Sequence, residues 1–588
     1  MAIKSLKLVG DFETTTNPLD VRVWGSCAVN IDTGKTEFIG NNIESFFDFL
    51  KDKNSVVYFH NLKFDGEFIL FYLLTHGFKY SERGENNTFS TLITDDGIFY
   101  SITVIFERLN KKLKKVTFYD SLKKLPFKVS VISKAFELVD EKLTIDYEAD
   151  RPIDHELTDE EKHYIVNDCK IVAQALKIQM DKGLKRMTNA SDALHGYKDM
   201  LPRDFESWFP VLPVELDADI RQSYKGGFTW LNPKFKNKRI TAGVTLDVNS
   251  LYPWTMYTKL LPYGYPMYFE GEYQNDDNYP LYIVRMRCAF ELKKGHIPCI
   301  QLKNNRSYVE TEYLTSSRTK KNGDLEIVEM TVTSVDLALI KDHYNLYCED
   351  YICGWKFKGA HDMFKDYIDY WMNIKETTTG AMRQLAKLML NSLYGKFATN
   401  PKTRQKIPYL DENDIVKYKL SDIEYRDPVF TVMGCFITAY AREKTIRSAQ
   451  SVYDRFIYAD TDSLHLTGNI IPEGLDIHPT KLGAWKHEGT FTDSKYIRAK
   501  TYMETMHDIK PDSLKTYAKA MCKYERVERN SDGVHTWHTI VTCAGMPDNV
   551  KELVTYDNFN SGSTFTGKLM PKRFKGGIVL TPSTFTIK

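Results

Sequence analysis

Apolar residues in the first third of the chain recur with a period of two in short runs and with a period near 3.6 in longer runs, which predicts strands and helices respectively. Strands are predicted at 6–12, 21–31, 35–39, 56–59, 89–94, 99–106 and 116–119, and helices at 43–51, 65–76 and 158–182. The last helix begins with a capping box formed by Thr158 and Glu161, and Gly183 closes it. This order of elements predicts an α/β domain with a mixed sheet.

The rest of the chain divides into segments of different composition. Residues 190–260 contain a Gly-Gly turn and a strand that leads into the sequence DVNSLYP, whereas 260–360 is aromatic, basic and strand-rich, as expected of an insertion. Further predictions are a helix at 379–397, a loop-rich segment at 398–427, a helix at 434–451 and a hairpin around 459–463. Because there are no internal repeats or low-complexity segments, several different folded units are expected.

Composition narrows the class of protein. The 588 residues are 42% hydrophobic and 27% charged, which excludes a disordered or collagen-like chain. The longest strongly apolar run, 68–74, is far shorter than the roughly 20 residues of a membrane helix, and the first residues lack the pattern of a signal peptide. Nine cysteines without a CxxC pair argue against a zinc site or a disulfide framework. We therefore expect a protein of a reducing cytoplasm with no membrane partner.

Charge is balanced, with 79 Lys and Arg against 78 Asp and Glu. Basic clusters occur at 111–115, 234–239, 318–321 and 568–575, and each taken alone is typical of a solvated loop. Net charge thus neither indicates nor excludes a polyanionic partner.

One acidic constellation lies in the N-terminal domain. Asp11 and Glu13 stand two positions apart on a strand and therefore share a face, Asp65 follows a buried strand, and Tyr164 and Asp168 share a helix face. Four such carboxylates could hold two divalent metal ions about 3.5–4 Å apart and hydrolyse phosphodiesters, with Tyr164 orienting the water. The alternative for Tyr164 and Asp168 is an ordinary helix surface, and surface Asp-x-Glu pairs recur elsewhere in the chain.

A second acidic constellation lies in the middle of the chain. Asp247 ends a predicted strand and is followed by backbone N–H groups that suit a metal-bound triphosphate. Asp460 and Asp462 stand at the tip of a predicted hairpin, where a plain turn is the alternative. Two carboxylates at one tip favour a metal ion.

A basic stripe accompanies these carboxylates. Arg383, Lys387, Asn391 and Tyr394 are spaced four, four and three residues apart and therefore lie on one helix face. The alternative is a solvated basic face. Together with the two acidic constellations, the stripe indicates two-metal nucleotidyl transfer, in which cations neutralise the triphosphate.

Six motifs in order carry a family resemblance. DVNSLYP, KLMLNSLYG and YADTDS resemble motifs A, B and C of family B DNA polymerases, and DFE, HNLKFD and YIVND resemble their three exonuclease motifs. The resemblance is closest to the protein-primed replicative polymerases of phi-29 type. Further matching segments include YKGGFTWLN, KTY and the ending TFTIK.

The resemblance implies a multidomain α/β fold, with an RNase H-like 3′–5′ exonuclease domain and a right-hand polymerase of palm, fingers and thumb. The implied domains are the exonuclease (1–189), palm (190–258 and 428–542), an insertion that contacts the priming protein (259–362), fingers (363–397), a second insertion for processivity and strand displacement (398–427), and thumb (543–588).

The resemblance also implies roles for individual residues of the polymerase. The catalytic metal ligands would be Asp247, the Val248 carbonyl and Asp462, with Asp460 as a supporting acid. Tyr252 would exclude a ribose 2′-hydroxyl. The triphosphate would meet Lys375, Arg383 and Lys387, and the nascent base pair Asn391 and Tyr394. Template and primer would be bound by Tyr224, Gly226, Gly227, Lys500 and Tyr502.

In the exonuclease, the resemblance implies that the metal ligands are Asp11, Glu13, Asp65 and Asp168. Tyr164 and Lys142 would assist catalysis. The single-stranded 3′ end would be bound by Thr14, Asn61, Phe64, Ser121 and Leu122. Three positions depart from the family pattern: Lys225 and Ala459 replace the usual Arg and Cys, and Arg383 stands where Lys is expected.

The implied function is a protein-primed, processive, strand-displacing DNA-directed DNA polymerase with proofreading that replicates a linear viral genome. It would use Mg²⁺, with Mn²⁺ able to substitute, and would act as a monomer on DNA, dNTPs and a priming terminal protein in the host cytoplasm. The alternatives are a family B polymerase restricted to nucleic-acid primers, a non-catalytic replisome scaffold, and a nuclease with an inactive polymerase half.

Overall fold

The structure is a computed structural model that describes residues 5–109, 112–303, 307–510, 526–530 and 533–588. Lys111 of the basic cluster 111–115 lies outside these ranges, as do parts of 506–540, a stretch that matches the family pattern poorly and for which no residue role is predicted. Within them, none of the helices has the length and hydropathy that crossing a membrane requires. The described cysteines are all free thiols.

The N-terminal domain is built on an eight-stranded sheet in the order β3-β2-β1-β4-β8-β7-β6-β5, in which β1, β4 and β8 run parallel and β2 and β7 antiparallel to their neighbours. The predicted mixed sheet is therefore confirmed. Its elements are β1 (Leu6–Thr14), β2 (Val23–Asn30), β3 (Thr36–Gly40), α1 (Ile43–Leu50), β4 (Ser55–Phe59), α2 (Leu62–Thr75), β5 (Lys79–Tyr80), β6 (Thr88–Ile93), β7 (Phe99–Leu109), β8 (Lys112–Asp120), α3 (Val129–Ala135) and α4 (Asp159–Asp181).

Two helices of this domain show which helix starts can be predicted from the local sequence pattern and which cannot. The capping box of α4 is formed as predicted, because the Thr158 hydroxyl accepts the Glu161 N–H at 3.2 Å and the Glu161 carboxylate accepts the Thr158 N–H at 2.9 Å. In contrast, α2 begins at Leu62, three residues before its predicted start. The distant Asp120 carboxylate accepts the N–H groups of Asn61 and Leu62 at 3.2 and 3.4 Å, a long-range cap that periodicity does not reveal.

The central sheet runs in the order β24-β25-β23-β22-β11-β21-β20-β9, with β10 paired to β22. It brings together strands that lie more than 200 residues apart in sequence, such as β11 and β21. Its strands and the helices around it are α5 (Asn189–Met200), α6 (Phe205–Trp208), α7 (Val214–Arg221), β9 (Thr229–Leu231), β10 (Arg239–Ile240), β11 (Gly243–Val248), α8 (Leu251–Thr258), α12 (Thr431–Ser451), β20 (Phe456–Asp460), β21 (Ser463–Thr467), β22 (Trp485–Arg498), β23 (Thr501–Lys510), β24 (Arg526–Asn530) and β25 (Gly533–Cys543).

The segments between and after these strands form separate small units. The predicted insertion 259–362 contains a four-stranded sheet in the order β12-β15-β13-β14, and a helical pair follows it. The elements are β12 (Leu261–Glu270), β13 (Leu281–Leu292), β14 (Val328–Thr333), α9 (Ser334–His343), β15 (Tyr344–Ala360), α10 (Lys365–Thr377), α11 (Gly380–Phe397), β16 (Lys402–Thr403), β17 (Lys406–Leu410), β18 (Val416–Leu420), β19 (Glu424–Tyr425), α13 (Asp548–Lys551), β26 (Thr564–Phe574) and β27 (Gly577–Thr586).

Residues 398–427 contain more regular structure than the loop-rich prediction gave them. Two short antiparallel ribbons, β16 with β19 and β17 with β18, take up 14 of the 30 residues, and the rest lie outside strands. The strands are short and carry charged residues, so their period-two pattern is weak. They gain stability from tertiary packing, because Val416 is buried in the hydrophobic core of the N-terminal domain.

Candidate active sites

The first predicted carboxylate set is brought together in the N-terminal domain. Asp11 and Glu13 extend from β1, Asp65 from the first turn of α2 and Asp168 from α4, and all four line one cavity of about 230 Å³. Predicted DNA contacts Asn61 and Phe64 line the same cavity. One site therefore collects residues that are up to 157 positions apart in the chain.

Burial and mutual repulsion shape this site. Burial, followed by the Asp168 carboxylate, raises the pKa of Asp11 to about 7. Burial and then the Asp11 carboxylate raise the pKa of Glu13 and of Asp65 well above the usual range. One buried oxygen of Asp168, Oδ1, has no hydrogen-bond partner. Such a set is tolerated as anions when a cation neutralises it, so the donors fit a divalent metal ion.

The predicted assisting residues contact this carboxylate set. Lys142 forms an ion pair with Asp168, and its ammonium group donates to the Tyr164 hydroxyl at 3.2 Å. The Tyr164 hydroxyl also forms a hydrogen bond with the hydroxyl of Tyr147, which lines the cavity. Sequence reasoning missed Tyr147, because it lies in a long segment without periodicity. Its only local signal is that it is the one aromatic residue between 137 and 158.

The remaining predicted DNA contacts lie next to the cavity rather than in its lining. Thr14 ends β1, and Ser121 and Leu122 follow β8. Asp120 joins the two segments, since its Oδ1 accepts the N–H of Asn61 at 3.2 Å and that of Leu122 at 3.1 Å. Sequence reasoning also missed this buried carboxylate.

The second set gathers at the ends of the central strands. Asp247 and Val248 end β11, and the turn between β20 and β21 places Asp462 beside them, where the Val248 N–H donates to the Asp462 carbonyl at 2.8 Å. A cavity of about 940 Å³ is lined by all of the predicted nucleotide contacts: Tyr252, Lys375, Arg383, Lys387, Asn391 and Tyr394. The same cavity contains Asp247, Val248 and Asp462.

Electrostatics in this cavity fit a cation and an anionic ligand. Burial, followed by the Asp462 carboxylate, raises the pKa of Asp247 to about 7, and burial raises the pKa of Asp462. Burial and the neighbouring cations of Lys387 and Arg383 lower the pKa of Lys375. Within the described ranges, no three His, Cys, Asp or Glu side chains already form a ligand group for a metal ion.

Asp460 is held by more side-chain contacts than the other two carboxylates, Asp247 and Asp462. Its Oδ1 accepts the Thr229 hydroxyl at 2.9 Å, its Oδ2 accepts the Tyr458 hydroxyl at 3.2 Å, and the Lys500 ammonium lies 3.8 Å from Oδ1. Asp460 and Tyr502 line an adjoining cavity of about 670 Å³. Thr229, which sequence reasoning missed, thus links the YKGGFTWLN segment to the carboxylate hairpin.

Aromatic and basic side chains line the cavity of about 940 Å³. The rings of Tyr252 and Tyr394 stack with centroids 3.8 Å apart and planes 20° from parallel. The Lys375 ammonium donates to the Ser250 hydroxyl at 2.8 Å, and Arg383 donates to the Lys375 carbonyl at 2.6 Å. These contacts fix one wall of the cavity on the helical pair α10 and α11.

The Tyr224–Gly227 segment is held in place by hydrogen bonds from Arg442 of α12. Arg442 donates to the carbonyls of Lys225 and Gly226 at 2.7 and 2.9 Å and forms a buried ion pair with Asp336 of the first insertion. Lys225, the departure from the family pattern, is only 4% exposed, and burial lowers its pKa. Its ammonium group is therefore inside the protein and not at the surface.

Comparison with known proteins decides the family. A family model described as DNA polymerase type B, organellar and viral, matches residues 48–156 and 141–477. The chain belongs to this family. Among curated relatives, the DNA polymerases of Bacillus phages B103 and phi29 are each 47% identical over 581 residues, covering 98% of this chain and 99% and 98% of the relatives. That of Streptococcus phage Cp-1 is 33% identical and covers 98% of both chains.

A solved structure extends this result. Phi29 DNA polymerase complexed with primer-template DNA and incoming nucleotide superposes with a TM-score of 0.92 at 46% identity, covering 99% of this chain and 100% of that one. This type B DNA polymerase is therefore of phi29 type, and the predicted fold class of exonuclease domain plus palm, fingers and thumb is confirmed. The predicted domain boundaries and residue roles stay predictions.

Proposed function

We propose that this type B DNA polymerase is DNA-directed, starts synthesis on the hydroxyl of a priming protein, and proofreads with a 3′–5′ exonuclease. The observation that carries the proposal is the presence of two carboxylate cavities with basic or hydroxyl partners. One is lined by Asp11, Glu13, Asp65 and Asp168, and the other by Asp247 and Asp462, with Asp460 in the cavity that adjoins it. The relative whose structure is known with primer-template DNA and incoming nucleotide supports DNA and dNTPs as ligands.

For polymerisation, Asp247, the Val248 carbonyl and Asp462 would hold Mg²⁺, with Mn²⁺ as a substitute. Bound there, the metal supplies Lewis acidity for the 3′-hydroxyl and the pyrophosphate. The chain itself binds and orients: the cations of α10 and α11 meet the triphosphate, and the stacked Tyr252 and Tyr394 shape the pocket for the sugar and base. Asp460, held by Thr229 and Tyr458, fixes the hairpin that carries Asp462.

For proofreading, Asp11, Glu13, Asp65 and Asp168 would hold the metal ions that activate water. Tyr164, whose hydroxyl is held by Lys142 and Tyr147, would orient that water. Phe64, which lines the cavity, would stack on a base of the single-stranded 3′ end, and such stacking contributes about 1–3 kcal/mol per base.

Processivity and strand displacement are assigned to a ring that includes the second insertion. Three elements meet in a thumb junction: Arg573 of the C-terminal ribbon donates to Glu67 of α2 at 2.7 Å, and Lys575 pairs with Asp414 of the insertion at 2.8 Å. Backbone bridges join Ile415 to Lys575 and Thr94 to Gln405. These contacts support closure of the chain around DNA.

Protein priming is assigned to the first insertion by the resemblance to phi29-type polymerases. We place the reaction in the host cytoplasm, because the relatives are phage proteins, with the enzyme acting as a monomer.

The decisive experiment uses a primed single-stranded circle, Mg²⁺ and four dNTPs without helicase or clamp. The wild type is expected to give products many times the length of the circle. Asp247→Ala and Asp462→Ala are expected to give no products. Asp11→Ala should synthesise DNA as the wild type does but should no longer degrade the primer. Wild-type synthesis by Asp247→Ala would refute the polymerase site. Extension that stops after one circuit would contradict the proposal that residues 398–427 form part of a ring that supports strand displacement.

Protein priming needs a separate assay. The candidate terminal protein is incubated with the enzyme and each labelled dNTP in turn, and a protein-linked nucleotide is expected with one of them. Absence of any protein-linked product, with primer extension intact, would favour a polymerase restricted to nucleic-acid primers.

A further inference from the structure

A fourth cation lies in the nucleotide cavity, and no role predicted above uses it. Lys486 is on β22, directly opposite Asp247 of β11 in the antiparallel pairing, so the two side chains share a face of the sheet. It lines the 940 Å³ cavity together with the three predicted triphosphate cations. Lys486 thus faces the nucleotide site from the strand next to the catalytic carboxylate.

The charge of Lys486 acts on residues of both walls of the cavity that it lines. The Lys486 cation is one of the groups that lower the pKa of Asp247, against the larger effect of burial. It is also among the cations that lower the pKa of Lys375 on α10. The predicted cations are carried by the helical pair, whereas Lys486 belongs to the sheet that carries Asp247. The position of Lys486 relative to Asp247 is therefore set by the pairing of β22 with β11.

Lys486 already has a weak partner. Its ammonium lies 2.6 Å from Glu488 Oε1, and both side chains are 42% exposed. Ion pairs of this exposure contribute little to stability, so a more highly charged ligand can take the place of the carboxylate. Glu488 lines the cavity as well and raises the pKa of Asp247, so Lys486 also shields the nucleotide site from that negative charge.

We propose that Lys486 is a nucleotide-binding residue that meets the triphosphate of the incoming dNTP, and the pyrophosphate formed from it, from the palm side of the cavity. In the free enzyme its ammonium is held by Glu488, and it exchanges that carboxylate for phosphate oxygens when nucleotide binds. With Lys375, Arg383 and Lys387 it forms a cradle that is cationic on both walls.

The test is Lys486→Ala in the full-length enzyme, with steady-state incorporation on a primed template and pyrophosphorolysis with inorganic pyrophosphate. The KM for dNTP and for pyrophosphate is expected to rise about 5- to 10-fold, the loss of one partly exposed charged contact, with kcat nearly unchanged. Lys486→Arg should restore both values. Lys177→Ala is the matched control, because this lysine is 43% exposed and pairs with Asp181 at 2.9 Å on α4.

A double variant separates direct contact from charge shielding. If Lys486 contacts phosphate, Lys486→Ala combined with Glu488→Gln keeps the raised KM values. Full recovery in the double variant would mean that Lys486 only neutralises Glu488, and would overturn the proposal. Unchanged KM values in Lys486→Ala, or a fall in kcat alone, would overturn it too.

Discussion

At Gly227 there is no room for a side chain. A Cβ built there would lie 2.5 Å from the Thr461 hydroxyl oxygen and 2.6 Å from its methyl carbon. Thr461 separates Asp460 from Asp462, and its N–H donates to the Phe228 carbonyl. The glycine is therefore required by the close approach of the Thr461 side chain, and a single methyl group at this point would push the carboxylate turn out of place.

Gly227→Ala is expected to lower the rate of nucleotide incorporation by about 100-fold, because a displacement of about 1 Å at a catalytic group has an effect of that size. Exonuclease activity on single-stranded DNA should be unchanged, because neither Gly227 nor the turn at 460–462 lines that cavity. Gly196→Ala is the control, since its Cβ would meet one atom at 3.9 Å. Incorporation at the wild-type rate by Gly227→Ala would contradict the steric argument.

At the scale of single elements, the start of α4 links stability to pH. Burial alone would raise the pKa of Glu161, but hydrogen bonds from the Thr158 N–H, His155 and Arg151 outweigh it and lower the pKa to about 2. The hydrogen bonds of the ionised Glu161 carboxylate stabilise the folded protein. Because the pKa of Glu161 in the folded protein lies below its ordinary value of 4.5, this stabilisation is complete above about pH 4.5. It is lost as the pH falls from there towards 2.

Glu161→Gln should therefore lower the melting temperature at pH 7, by the loss of about 1 kcal/mol of capping, and should flatten its decline between pH 4.5 and 3. Thermal unfolding followed by circular dichroism at several pH values measures both effects. Glu160→Gln is the matched control, because Glu160 is an exposed carboxylate in the same turn. An equally steep decline in both variants would show that Glu161 is not the titrating group.

Prediction from sequence succeeded where structure is locally encoded. The helix at α4 has a capping box and a 3.6-residue period, and the carboxylates at strand ends were found because pairs on one face are visible in the sequence. Prediction from sequence failed where contacts with distant segments determine the local structure. The start of α2 depends on Asp120, the ribbons of 398–427 depend on packing against another domain, and Thr229 gains its role from a hydrogen bond to a residue 231 positions away.

At the scale of the whole molecule, the thumb junction buries a charge that only a distant segment can neutralise. Glu67 is 1% exposed, and its Oε1 accepts Arg573 from 506 residues away in the chain. The Arg573 guanidinium also lies 4.8 Å from the ring of Tyr418 in the second insertion. Three separate parts of the chain therefore meet at one ion pair, in which the carboxylate is buried and the Arg573 side chain is 35% exposed.

Arg573→Ala should destabilise the junction by about 3 kcal/mol, because it leaves Glu67 buried without a cation. Products on the primed circle should become shorter, while the rate of single incorporations stays the same. Lys575→Ala is the control, since its pair with Asp414 is exposed and is expected to contribute less than about 1 kcal/mol. Product lengths equal to wild type in Arg573→Ala would separate the ion pair from processivity.

The ion pair at the thumb junction has a topological consequence for how synthesis begins. On the proposed ring, a linear template can be threaded from its end, but a sealed circle has no end to thread. The Glu67–Arg573 contact then has to break once for each circle that is captured, and it can stay intact through all later circuits. The lag before synthesis on circles, compared with linear templates of the same sequence, then measures the opening of the thumb junction as a whole, in which the Glu67–Arg573 pair acts together with the Lys575–Asp414 pair and the Ile415–Lys575 bridge.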